Sequence, residues 1–119
     1  MSTQAEVRQR VGEDLGIVPI GQNLEDHDRN RIDIAYTEAY ERLKEKGLAS
    51  WAFSGDVPNK LVPYFCLMIE STLLVSYSVP ESRYLRIATE AGPQGSIAMA
   101  KLAELTIQEY ESTTDATDY

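Results

Sequence analysis

The chain has 119 residues, a formal net charge of −8 from 19 acidic and 11 basic side chains, and one cysteine. That length supports a single domain with a full hydrophobic core and no need of metal or disulfide staples. The lone Cys66 excludes an internal disulfide, and basic residues scattered among acids, as in Arg29, Arg31, Arg42, Lys44 and Lys46, argue against a sequence-specific or phosphate-neutralising nucleic-acid surface.

The first helix is predicted over Thr3–Leu15. Thr3 and Glu6 stand at capping-box spacing, and Val7, Val11 and Leu15 make one apolar stripe. Gly16 with Ile17-Val18-Pro19 behind it supplies the stop. Met1–Glu6 holds no apolar run of the signal-peptide kind. The second helix is predicted over Glu25–Lys46, capped by Asn23, with Glu25, Asp26 and Asp28 where the helix dipole favours negative charge. Ile32, Ala35, Tyr36, Ala39, Tyr40 and Leu43 follow helical spacing, and Gly47 accepts the left-handed conformation that ends it. Leu48–Pro58 is a long connection carrying Trp51 and Phe53. Trp51 has two readings there: a lid folded back on the core, or an anchor on a neighbouring subunit.

Pro58 and Pro63 set the start of a third helix, predicted over Asn59–Tyr77, because proline is tolerated where its nitrogen has no helical partner. Phe65, Leu67, Met68, Ile69, Leu73, Leu74 and Val75 make it apolar on nearly all sides. Such a helix is central in its own fold or covered from a second side by another subunit. The stretch is broken by Pro63, Glu70, Ser71, Thr72 and Ser76 and falls short of a membrane span. Ser78-Val79-Pro80 interrupts the chain, and a fourth helix is predicted from Glu81 with Tyr84, Leu85, Ile87, Ala88 and Ala91 facing inward. Gly92-Pro93 predicts a kink or short break. Ile97, Ala98, Leu102 and Leu105 then resume the helical period to about Tyr110. Residues 112–119 have no apolar period and read as a tail beyond a helical domain of residues 1–111. The expected fold is all-α: a small bundle of four to five helices with an extended C-terminal tail.

Few constellations suggest chemistry. His27 lies among Glu25, Asp26 and Asp28, but neighbours on a helix diverge, whereas residues sharing a metal usually stand three or four apart; the segment reads as an acidic helix start. Glu70, inside the apolar helix, needs compensation. An ion pair with Arg83 or Arg86, or exposure at a subunit contact, is expected, with a shifted catalytic acid as the rival reading. Gly92-Pro93-Gln94-Gly95 lacks the Lys-Ser/Thr of a phosphate loop. Cys66, between Phe65 and Leu67 and with no cation within five residues, reads as a buried small hydrophobe. No catalytic, cofactor-binding or metal residue is therefore assigned.

What the segments share is order: Leu15-Gly16-Ile17, then Glu38-Ala39-Tyr40-Glu41-Arg42-Leu43, then Gly47-Leu48-Ala49-Ser50-Trp51, then Val57-Pro58 with Leu61-Val62-Pro63, then Arg83-Tyr84 with Ile87-Ala88. In that order and spacing the chain resembles the head-to-tail adaptors, or tail accessory factors, of short-tailed bacteriophages over about residues 5–110. The resemblance implies a non-enzymatic structural protein of the virion, made in the host cytoplasm and placed at the head–tail junction. It implies a dodecameric ring below the portal protein that meets the tail nozzle or other tail proteins and helps retain packaged DNA, which passes through the channel. Related members carry a long C-terminal extension that reaches along the portal, and this sequence has little after Tyr110.

Trp51, Phe53, Tyr110 and Tyr119 are the aromatic candidates for the subunit or portal interface. The tail either stays free or folds onto a partner, with Tyr110 and Tyr119 as its anchors. Three rival readings stand beside the adaptor: the connector ring of long-tailed phages, a small helical regulatory or anti-host protein acting as monomer or dimer, and a small hydrolase using Glu70 or an acidic pair.

Overall fold

The structure, a computed structural model, describes residues 1–117, and side chains as far as Ile107. Five α-helices follow one another: α1 (Gln4–Leu15), α2 (Asp26–Glu45), α3 (Val62–Leu73), α4 (Glu81–Ala91) and α5 (Ser96–Thr117), with a 3-10 turn at Pro93–Gly95 before the last. The described fold is all-α. The only β pairing among the described residues is an isolated bridge between Ser2 and Val57.

α1 starts as its sequence dictates. Thr3 Oγ1 accepts from Glu6 N at 3.2 Å, and Glu6 Oε1 accepts from Thr3 N at 3.2 Å, so two of the orphan amides of the first turn are satisfied reciprocally. It ends on Gly16 in the left-handed conformation. α2 starts later than expected. Glu25, not Asn23, occupies the cap position and makes no side-chain capping bond. Leu24 is drawn into the core, 7 % exposed, which holds the chain extended past Asn23. Arg29 fastens the new start, donating to the Leu24 carbonyl and to Asp26 at 3.0 Å each.

α3 is the axis of the bundle, in contact with α1, α2, α4 and α5. Val62, Phe65, Cys66, Met68, Ile69, Glu70 and Leu73 are all buried. Their burial is supplied by four neighbouring helices of the same chain. The helix proper is shorter than the apolar pattern: residues 59–61 form a turn ahead of it, and the chain loosens after Leu73. Val75 consequently stands 90 % exposed.

α4 also departs from expectation. Ile87 and Ala91 are its buried residues, while Tyr84 and Leu85 are 41 % and 56 % exposed. The helix lies on the outside of the bundle and needs only a narrow inner stripe. α4 touches α1, α3 and α5, whereas α2 packs on α1 and α3.

The break between α4 and α5 is made by Gly92, with φ 75° and ψ 176°, a region essentially closed to side chains. A Cβ placed there would meet Ile97 Cγ1 at 2.5 Å. Gly92→Ala will therefore lower stability by about 2 kcal/mol or more, from backbone strain and overpacking together. Urea denaturation measures it, and an unchanged midpoint would contradict it. Next to the break, Gln94 has φ 54°, and its carbonyl accepts from Arg42 Nη1 at 2.9 Å, a tie from α2 across to the turn.

α5 continues to Thr117, so residues 112–117 are helical where a tail without structure of its own was expected. Extending a helix adds a hydrogen bond for each residue fixed, and needs no apolar period once the first turns are anchored by packing. Ala98 and Leu102 supply that anchor, both fully buried.

Candidate functional site

The connection between α2 and α3 is tied down by the N-terminus. Ser2 and Val57 exchange backbone hydrogen bonds of 3.0 and 2.8 Å, and the Gln4 amide donates to the Phe53 carbonyl. Held at Phe53 and Val57, the loop folds its aromatics onto α2 and α3. Trp51 stands edge-on to Tyr40 (5.7 Å between ring centres) and to Phe65 (5.3 Å), and Tyr36 is edge-on to Phe65 at 5.0 Å. These are the favoured geometries for aromatic pairs. Tyr40 Oη donates to the Trp51 carbonyl at 2.7 Å, closing the cluster.

Trp51 is thus the lid on the core, 7 % exposed, and has little surface left for a neighbour. Phe53 differs. It packs one side of its ring on Tyr36 and Tyr40 and keeps 43 % of its surface in solvent. Of the two interface candidates among the described side chains, Phe53 is the one with free apolar area. The Tyr110 side chain and all of Tyr119 lie outside the described residues.

Phe53 has company that the sequence reading missed. Ile34 of α2 is 62 % exposed and shares with Phe53, Thr37 and Glu38 a hollow of about 340 Å3. The signal was present, since Ile34 falls in the outward stripe of α2 with Glu38 and Glu41, where an isolated isoleucine has no core to fill. Tyr84 and Val75 border a second hollow of about 280 Å3, lined also by Leu74, Ala88 and Pro93.

Glu70 has none of the expected ion-pair partners. It is 1 % exposed, and one of its carboxyl oxygens has no hydrogen-bond partner. Arg83 is engaged elsewhere, donating to the Glu13 and Asp14 carbonyls at the end of α1 at 3.1 and 3.0 Å, where a cation complements the helix dipole. Burial pushes the Glu70 carboxyl up to about 10, and the nearby Asp14 carboxylate adds to the shift as a charge and as a hydrogen-bond acceptor. Arg10 and Arg86 pull it down without reversing the balance. The group is neutral at pH 7, and its burial keeps solutes from reaching it. Burial also pushes the Cys66 thiol up, in keeping with a thiol that packs as a hydrophobe.

Glu25, His27 and Asp28 do come together. Their ligand atoms lie within 4.8 Å of one another, with His27 nitrogens 3.5 Å from Glu25 and 3.4 Å from Asp28. Glu25 and His27 are about three-quarters exposed, and Asp28 already accepts from Tyr77 Oη at 2.9 Å. The arrangement is that of a solvated acidic helix start. No helix among the described residues is long and apolar enough to cross a membrane.

Among the described residues the assembled features are surfaces: an acidic and apolar one on α2 with Phe53, and the hollow bordered by Tyr84 and Val75. Compared with known proteins, the chain matches no family model, no curated protein and no solved structure.

Proposed function

We propose that this chain is a head-to-tail adaptor, a structural virion protein that forms a dodecameric ring below the portal of a short-tailed phage. It would join the capsid to the tail and help retain the packaged DNA. The observation that carries the reading is the ordered set of segments from Leu15 to Ala88 that resembles this family, present in a chain folded as one all-α unit.

Two physical features support it. A cyclic ring requires two unlike faces on each subunit, and the exposed apolar residues Ile34 and Phe53 lie on the α2 side of α3 while Tyr84 and Leu85 lie on the α4 side. The net charge of −8 suits a channel wall, because acidic subunits repeated around an axis repel phosphate and let a duplex slide.

Native mass spectrometry of the purified chain, alone and mixed with the portal protein encoded by the same phage genome, tests the proposal. The expected result is a complex carrying a full ring of copies on the portal. A monomer or small fixed oligomer that ignores the portal would sink it and favour the helical regulatory or anti-host reading.

A further inference from the structure

Glu70 of α3 faces groups from two other helices. The charged side chains that act on it are Asp14 and Arg10 of α1 and Arg86 of α4, with the Cys66 thiol one turn back on its own helix. α2 buries no titratable groups except Tyr36 and Tyr40, and the buried side chains described for α5, Ala98 and Leu102, carry none. Asp14 is committed to Arg10, 3.7 Å away, and Arg83 to the carbonyls of Glu13 and Asp14. Glu70 itself is in no ion pair among the described residues, and one of its carboxyl oxygens has no hydrogen-bond partner. A carboxyl held in this way stays enclosed only while it keeps its proton, because an unpaired buried charge costs far more than a buried neutral acid.

The two neighbours differ in how firmly they are held. α1 is fastened by Val7, Val11 and Leu15, all buried, by its capping box, and by the Ser2–Val57 pairing just ahead of it. α4 has only Ile87 and Ala91 buried. Non-helical chain flanks it on both sides, residues 74–80 before and Gly92 after, and Gly92 already occupies a region that only glycine adopts readily. Its polar tie to α1, the pair of bonds from Arg83, is exposed to solvent. Of the helices whose charges reach Glu70, α4 is therefore the one that can leave without dismantling the core.

We propose that α4 is a proton-held flap: it lies closed against α3 while Glu70 is protonated, and swings out as a unit on residues 74–80 and Gly92 when Glu70 gives up its proton. The proton passes to solvent, the carboxylate is hydrated, and Arg86 leaves with the flap. The direction follows from linkage. A carboxyl whose affinity for its proton is raised in the closed state holds that state most firmly at low pH, and releases it as pH rises toward the closed-state value. Between the solvated and the closed-state values, the fraction of molecules with α4 open rises about tenfold for each pH unit.

Residue-resolved amide hydrogen exchange of the full chain tests this from about pH 6 to about pH 8.5, in the wild type and in Glu70→Gln, with each rate corrected for its intrinsic pH dependence. In the wild type, protection of the α4 amides is expected to fall about tenfold per pH unit. Dilute urea is expected to leave those amides unaffected, since opening one helix exposes little surface, while the core amides of α2 exchange through global unfolding and respond to it. In Glu70→Gln the pH slope of α4 vanishes. Exchange of the α4 amides that responds to urea as that of α2 does would mean that the helix opens only with the whole fold, and would overturn the flap. A wild-type slope near zero, or a slope that survives in Glu70→Gln, would overturn the part given to Glu70.

Discussion

Replacing Glu70 with Gln will stabilise the protein by about 3 kcal/mol at pH 7 and remove most of its pH dependence from about pH 5 to about pH 9. In the unfolded chain the carboxyl ionises near its ordinary value of 4.5, whereas in the fold it holds its proton up to about 10. Between those values folding takes up a proton. The contribution of the neutral carboxyl is thus complete below about pH 4.5 and is lost progressively as pH rises toward 10, at about 1.4 kcal/mol per unit. Any folded value well above 7 gives the same loss at pH 7, so the figure does not depend on the last unit of the shift.

Gln has the shape of the protonated acid, can donate to the Asp14 carboxylate, and cannot ionise. Its advantage is accordingly absent near pH 4.5 and grows with pH. Urea midpoints at several pH values measure this, with the wild type declining and the variant level. Parallel profiles would show that Glu70 titrates normally in the fold. The two tyrosines with raised values, Tyr36 and Tyr77, both near 12, lie above this window and leave it undisturbed.

Phe65→Ala will cost about 3–5 kcal/mol, a large share of the roughly 5–15 kcal/mol that holds a domain of this size together. Phe65 is fully buried, and its ring receives the edges of both Tyr36 and Trp51. Deleting it removes the buried ring and opens a cavity between α2, α3 and the aromatic loop. The Tyr36 hydroxyl and the Trp51 indole N–H, both buried without a hydrogen-bond partner, would become reachable by water. Trp51 is the single tryptophan, so its fluorescence reports both events. The emission of the folded variant will shift toward that of a solvated indole, and the urea midpoint will fall. A loss below 1 kcal/mol, or an unshifted spectrum, would mean that the loop is not held by this ring.

Much of the local structure was legible because its causes are local. A capping box needs only Thr3 and Glu6 three residues apart, and the breaks at Gly16 and Gly92-Pro93 need only the conformational habits of those residues. The faces were legible only in part. Periodicity says which residues share a side of a helix, but not how wide a stripe its neighbours cover. Tyr84 and Leu85 were assigned inward with Ile87 and Ala91, yet α4 sits at the edge of the bundle and buries a narrower strip. For Glu70 the sequence points to an ion pair with Arg83 or Arg86, or to exposure at a subunit contact, because buried charge needs compensation. The fold meets that requirement differently, by keeping the carboxyl protonated beside Asp14.

By itself, then, the sequence determined the all-α class, the order of the helices and the breaks at Gly16, Gly47 and Gly92, since these follow from side-chain chemistry acting within a few residues. Only the tertiary structure decided that Trp51 is an internal lid while Phe53 is open, that the N-terminal Ser2 pins Val57, and that Ile34 on α2 and Leu85 on α4 are left exposed. Those outcomes depend on contacts between residues far apart in the chain, whose pairing no local pattern encodes.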